Sequence, residues 1–163
     1  MIIQIIGLCA FLFNLFSFHL KKKNDVLALQ LYAQIFYAIH YFFLNGISAF
    51  IISLINMLRS ILFLKNDDKN FNFITLTILY GLIMVFTYTN IYSIIPACAS
   101  LIYTIAVCYG TKKQLVKACI ITSLLWIIYN FTVGSYIGIL NEIIMISSNT
   151  YIIIKGDKNA KSK

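Results

Sequence analysis

Glu142 is the only acidic residue that lies well inside an apolar stretch of this sequence. A charged side chain at the centre of a bilayer costs about 2.5–3.5 kcal/mol on insertion scales, so such a residue is expected to face a bundle interior or a water-filled cavity. Two roles follow. The carboxyl group either couples proton movement to solute movement or binds a solute, or it is a protonated group that fixes two helices by a hydrogen bond.

His40 lies at a depth close to that of Glu142, about one turn from the end of its own apolar stretch. A His–Glu pair could relay protons, and its titration would then belong to the pair. The favoured interpretation is simpler, with the imidazole at the membrane interface and its tip in headgroup water.

Asn56 and Arg59 are three residues apart and share one helix face, and Asn149 falls at a similar depth in the last apolar stretch. The amides are candidates for binding a polar solute or for hydrogen bonds between helices, at about 0.6 kcal/mol each. Arg59 is close enough to its helix end to extend toward the headgroups, which is the favoured interpretation; the alternative is a gate cation.

Trp126, the only tryptophan, lies in mid-helix, where its N–H needs a partner. Bundle contacts are favoured for it over a stacking surface for a ring-shaped solute. Pro96 removes a backbone hydrogen bond and is predicted to kink its helix, a candidate hinge. No catalytic triad, HExxH motif, phosphate loop or CxxC pair is present, so we expect no enzyme, metal site or cofactor.

The composition indicates a membrane protein. The chain has 163 residues, of which 61% are hydrophobic and 11% charged, and a mean hydropathy of +0.87; soluble domains carry about 25% charged residues. The net charge of +8 suits loop cations at a membrane surface better than nucleic acid, which is not expected as a partner. A bundle of this size is also small enough to form a homodimer.

The sequence predicts an all-α polytopic fold with seven transmembrane helices, since a spanning helix needs about 20 residues. The predicted helices are 2–20, 26–44, 47–64, 71–88, 91–109, 114–133 and one from about 134 to 155, followed by a polar tail at 156–163. The break at Thr89-Asn90 is the weakest.

Lysines and the single arginine alternate with uncharged turns along the chain. Basic segments lie near residues 21–23, 59–69, 112–117 and 155–163, whereas Asn45-Gly46, Thr89-Asn90 and Val133-Gly134-Ser135 carry no charge. Cytoplasmic loops collect Lys and Arg. Seven spans place every basic segment on one side, with the N-terminus outside and the C-terminus in the cytoplasm. Six spans would place basic segments on both sides of the membrane.

An offset of about 90 residues aligns the two halves of the chain. Lys22-Lys23 meets Lys112-Lys113, and Phe36-x-x-x-His40 meets Trp126-x-x-x-Asn130. This pattern predicts two parallel three-helix repeats, about 1–65 and 91–155, joined by a linker helix at 71–88. Such a three-plus-one-plus-three arrangement is that of SWEET-type transporters, which have parallel repeats.

The chain resembles the YgjV-type bacterial inner membrane proteins. The resemblance is carried by Ser17-Phe18-x-x-Lys21, His40, Gly46 and Asn56-x-x-Arg59, and by Pro96, Trp126-x-x-x-Asn130, Gly134-Ser135-x-x-Gly138-x-x-x-Glu142 and Asn149. It implies a location in the bacterial cytoplasmic membrane. A more distant similarity is to PQ-loop and SWEET proteins, although Pro96 is followed here by Ala97.

Two hypotheses follow. The first is a small-solute transporter or exporter with a polar site between the repeats, in which Glu142, Asn149, Asn56 and Trp126 point into a shared cavity. The second is a structural or accessory membrane protein without a solute path, in which each polar group has its own partner.

Overall fold

The computed structural model describes residues 2–17, 20, 23–66 and 68–161. Within these ranges every regular element is a helix, which confirms the predicted all-α class for the described residues. The elements are α1 (Ile2–Ser17), α2 (Lys23–Phe43), α3 (Ile47–Lys65), α4 (Lys69–Phe86), a 3₁₀ turn (Ile91–Ile94), α5 (Ile95–Tyr109), α6 (Lys112–Thr132) and α7 (Tyr136–Lys161).

Five helical segments of the described chain are long and apolar enough to cross a membrane. They are Ile47–Lys65, Lys69–Phe86, Ile91–Tyr109, Lys113–Thr132 and Tyr136–Ile154. Helix α1 is apolar but has 16 residues, fewer than the roughly 20 that a span usually needs. Helix α2 has 21 residues, and polar residues interrupt its apolar sequence.

Capping side chains set several helix starts. Asp68 accepts hydrogen bonds from the backbone N–H groups of Asn70 and Phe71, and Thr111 forms a capping box with Gln114. Asn90 accepts from the N–H groups of Tyr92 and Ser93 in the same way. The weak break expected at Thr89-Asn90 is therefore a real helix start, because Asn90 satisfies amides that the helix itself leaves unpaired.

Two element boundaries differ from the sequence prediction by more than three residues. Residues 91–94 are a 3₁₀ turn, so Pro96 lies in the first turn of α5, where its missing N–H leaves no helical hydrogen bond unmade. The kink expected inside a longer helix is thus not observed, and the change from 3₁₀ to α winding falls beside Pro96 instead. Helix α7 continues to Lys161, past the end predicted near Lys155.

Six helices form a closed ring. Around the ring, α1 contacts α2, α2 contacts α3, α3 contacts α5, α5 contacts α6, α6 contacts α7, and α7 contacts α1. Helix α4 lies outside this ring against α3 and α5. Five of its exposed apolar residues recur every three or four positions and form one outward stripe: Phe71, Ile74, Ile78, Leu82 and Val85.

The three uncharged turns lie together at one end of the bundle. Asn45-Gly46, Thr89-Asn90 and Val133 line a common groove there. The start of α1 is at the same end, because the Gln4 side-chain amide donates to the carbonyl of Gly134 at 3.1 Å. We call this the uncharged end. At the opposite, basic end, Tyr109 donates to Asn70 at 2.8 Å and joins the end of α5 to the start of α4.

Tyr80 fastens α4 to the ring. It is fully buried, and its hydroxyl donates to the Asn56 side-chain oxygen at 2.9 Å. Tyr80→Phe is expected to lower the thermal stability of the detergent-solubilised protein, because it leaves a buried acceptor unpaired at a cost of about 1–3 kcal/mol. Tyr88→Phe is the matched control, since Tyr88 is 61% exposed. Equal melting temperatures for the two variants would contradict this role.

Candidate functional site

A polar cavity of about 130 Å³ lies at the centre of the ring. All six ring helices line it and α4 does not. Its lining consists of Asn14 of α1; Gln30, Gln34, Tyr37 and Tyr41 of α2; Ser53, Asn56 and Arg59 of α3; Ala99, Ser100 and Tyr103 of α5; Cys119, Thr122, Ser123 and Trp126 of α6; and Asn141, Glu142 and Met145 of α7. It is smaller than the roughly 300–1,000 Å³ of pockets for drug-sized ligands, so it has room only for a small molecule.

Helical spacing aims these side chains inward. On α2 the lining residues lie at positions 30, 34, 37 and 41, and on α6 at 119, 122, 123 and 126. Residues three or four apart share one face of an α-helix. Each of these helices therefore turns one polar stripe toward the ring centre.

Glu142 lies half-buried in the cavity wall. The Asn141 side-chain amide donates to its carboxyl group at 2.9 Å, and the Ser123 side chain lies beside it. Within the described residues no cation pairs with it. The group is thus held by neutral donors and retains acceptor capacity toward the cavity.

Arg59 also lines the cavity. Its side chain is 9% exposed, and its guanidinium carbon lies 4.9 Å from the centroid of the Tyr103 ring. The extension toward the headgroups that the sequence favoured is therefore not observed. Among the described residues, no carboxylate pairs with this guanidinium, and an aromatic face compensates only part of a buried charge.

Aromatic side chains form the cavity wall on the side of Glu142. Trp126 and Tyr41 stack with centroids 5.9 Å apart and an interplanar angle of 24°. Tyr37 is 8% exposed, and its hydroxyl lies beside the Asn14 side chain without forming a hydrogen bond of standard geometry. An unpaired buried hydroxyl costs free energy, so this group is available to a water molecule or a solute.

Asn56 lines the cavity, but its side chain already forms hydrogen bonds to neighbouring residues. Its side-chain oxygen accepts from Tyr80, and its side-chain nitrogen donates to Ser100 at 3.3 Å. These bonds connect α3 to α4 and α5. Asn56 therefore combines a place in the cavity wall with a structural role.

Three candidate residues lie outside the cavity lining. Asn149 is 8% exposed and donates to the Met145 carbonyl of its own helix at 2.9 Å. Asn130 is fully buried and accepts from the Tyr41 hydroxyl at 2.7 Å. His40 is fully buried as well, away from the interface that the sequence favoured, and its ring nitrogens contact Ile3 and Ser135, not Glu142.

The bonds of His40 define its tautomer. Its Nδ1 lies 2.8 Å from the Ile3 carbonyl oxygen, which can only accept, so Nδ1 carries the proton. In the neutral ring, Nε2 then accepts from the Ser135 hydroxyl at 2.7 Å, while the Ser135 oxygen accepts from the Gly138 N–H at 3.2 Å. These hydrogen bonds are all formed with a neutral imidazole, and they join α1 and α2 to α7.

Further hydrogen bonds join the two halves of the ring at the uncharged end. Ser48 donates to the Tyr129 hydroxyl at 3.1 Å, and Gln4 bonds to both Gly134 and the Ile137 N–H. Together with the bonds of His40 and Asn130 they form what we call the closing network. Its hydrogen bonds hold the two halves of the ring together on that side of the cavity.

Sequence reasoning missed several lining residues of the cavity. The heptad-like run Gln30, Gln34, Tyr37 and Tyr41 of α2 has the spacing of one helix face and could have been recognised. Asn14 and Ser123 carry no comparable signal. The described residues contain no cluster of three or more His, Cys, Asp or Glu side chains that could hold a metal ion.

An apolar exterior around a polar interior is the structure of a multi-pass helical membrane protein. The chain belongs to the Imp-YgjV family of bacterial inner membrane proteins, which it matches over residues 1–160. This confirms the resemblance to YgjV-type proteins and the expected membrane. No curated protein and no solved structure matches the chain.

Gly138 allows the closing network to form. A Cβ atom at this position would lie 2.5 Å from the Ser135 hydroxyl and 2.7 Å from the Asn130 side chain. Gly138→Ala is expected to destabilise the protein by about 1–3 kcal/mol through overfilling of a buried site, measured as a lower melting temperature.

Gly81→Ala is the matched control for this substitution. Nothing lies within 4 Å of a Cβ atom at Gly81, and alanine is the better helix former. Its melting temperature is expected to equal or exceed that of the wild type. A stable Gly138→Ala protein would show that the network tolerates a methyl group.

Proposed function

We propose that this chain is a small-solute transporter or exporter of the bacterial cytoplasmic membrane, with the central cavity as its solute site. The observation that carries the proposal is a polar cavity lined by all six ring helices and containing both Glu142 and Arg59. Exposing such groups inside a bilayer is costly, and intramembrane ionisable residues commonly mark solute or ion pathways.

The proposed arrangement has seven spans in two parallel repeats, α1–α3 and α5–α7, with α4 as the linker. The helix contacts support it, because exchanging α1, α2 and α3 with α5, α6 and α7 maps the whole ring onto itself. In particular, the α3–α5 contact exchanges with the α7–α1 contact. Pseudo-symmetric repeats around a central site are a common transporter plan.

The proposed orientation puts the basic end in the cytoplasm and the N-terminus outside. It is supported by the common position of the three uncharged turns and the start of α1, together with the preference of Lys and Arg for the cytoplasmic side. In this orientation the closing network forms the outer gate.

Transport requires that the closing network open while the basic end closes. Most bonds of the network join α1, α2 and α3 to α6 and α7, so a rocking of one repeat against the other would break them together. The junction between 3₁₀ and α winding at Pro96 is the proposed hinge. Glu142 would take up a proton when its solute leaves, because an unpaired carboxylate is costly at that depth.

A structural or accessory role is the second candidate. The pairing of Asn56 with Tyr80 and Ser100, and of the Asn130 side-chain oxygen with Tyr41, favours it, whereas the Asn130 side-chain nitrogen has no partner among the described residues. It provides no reason, however, for an Arg59 guanidinium and a Tyr37 hydroxyl that face the cavity without such partners.

A thermal-shift screen of the purified protein against small polar metabolites tests the transporter proposal. A bound solute at 100 times its Kd stabilises the folded state by about 2.7 kcal/mol, and Glu142→Gln is expected to remove that shift. Asp68→Asn is the matched control, because it also removes one acid but retains a good N-cap for α4. If no solute shifts the melting temperature, or if Glu142→Gln preserves every shift, the accessory role is favoured.

A further inference from the structure

The cavity holds one permanent cation and one acid that do not pair with each other. Arg59 and Glu142 both line it, yet no ion pair joins them in the described chain. A buried cation without an anionic partner is costly. An anionic group of a solute would compensate the charge of Arg59.

The two groups lie at different depths. At 1.5 Å per residue, the backbone of Glu142 lies about 9 Å from the uncharged end of α7, and that of Arg59 about 18 Å from the same end of α3. Cys119 lies within electrostatic reach of both groups. The cavity is thus polarised along the bundle axis, with the acid toward the uncharged end and the guanidinium toward the basic end.

The acid end of the cavity has the features of an ammonium site. Tyr37 and Tyr41 lie within electrostatic reach of Glu142, and Trp126 stacks on Tyr41. Aromatic faces beside a carboxylate bind primary and quaternary ammonium groups. The unpartnered Tyr37 hydroxyl adds an acceptor for an ammonium N–H.

The guanidinium end has the features of a carboxylate site. Arg59 is 9% exposed and has N–H donors with no carboxylate partner in the described chain. Guanidinium groups bind carboxylates through two parallel hydrogen bonds. Ser53, Ser100 and Gln30 line the same cavity and supply further donors.

Resting on the proposed function, we propose that the solute is a small zwitterion, with its carboxylate on Arg59 and its ammonium group on Glu142 and the adjacent aromatic rings. Such a solute compensates both cavity charges at once and adds no net charge to the membrane interior. A neutral polyol would leave both charges uncompensated, and a simple anion or cation would leave one.

Equilibrium binding to the purified full-length protein tests this assignment with defined probes. Glycine and glycine betaine are the zwitterions and separate a primary from a quaternary ammonium group. Propionate is the monoanion, choline the monocation and glucose the neutral solute. The wild-type protein is expected to bind at least one zwitterion more tightly than the other three probes.

Two variants give opposite patterns for the single-charge probes. Arg59→Gln is expected to weaken zwitterion and propionate binding at least about tenfold, as the loss of a charge-assisted bond predicts, and to leave choline within about twofold. Glu142→Gln is expected to weaken zwitterion and choline binding and to leave propionate unchanged. Lys65→Gln and Asp68→Asn remove the same charges outside the cavity lining and are the matched controls.

Arg59→Lys keeps the assignment testable if Arg59→Gln does not fold. It preserves the charge but not the forked geometry, so an intermediate loss of zwitterion and propionate affinity is expected. Tight glucose binding without zwitterion binding would overturn the zwitterion assignment and leave the transporter proposal standing. Uniform weakening of all probes by both variants would also overturn it. Binding of none of the probes would overturn the zwitterion assignment as well, and the metabolite screen would then decide the transporter proposal separately.

Discussion

The hydrocarbon core of a membrane offers no hydrogen bonds, and the structure of this chain follows from that constraint. Apolar side chains such as Val85, Phe86 and Phe131 are strongly exposed, whereas Asn72 and Asn130 are fully buried. A soluble protein shows the opposite distribution. Every polar side chain in the spans therefore needs a partner from another helix, from its own backbone or from a water-filled cavity.

The ring meets this requirement in two ways. At the uncharged end, the closing network pairs polar groups directly and joins the halves of the ring, with Gly138 allowing the close approach. At the centre, the Tyr37 hydroxyl and the Arg59 guanidinium face the cavity without such partners in the described chain. The first arrangement stabilises one conformation, and the second leaves binding capacity for a solute. The proposed transport would require both, because its gate must hold and its site must be vacated.

Much of the fold was predictable because local signals were strong. Asn45-Gly46, Asn90 and Gly134 stop or start helices through turn geometry and capping, and Asn45 and Gly134 adopt positive φ angles of 56° and 69°. Glu142, Trp126 and Asn56 line one cavity. Asn149 does not join them, because an amide in mid-helix can equally bond to the carbonyl four residues before it.

The sequence by itself determined the helical class, the uncharged turns and the family, because hydropathy, capping and charge act over a few residues. Tertiary structure decided which residues each polar side chain contacts. Which way a helix faces depends on its neighbours, so only the closed ring shows that Arg59 turns inward over Tyr103 and that His40 bonds to Ile3 and Ser135 instead of Glu142. The unpaired charges of the cavity exist only where six helices meet, and no single stretch of sequence contains that arrangement.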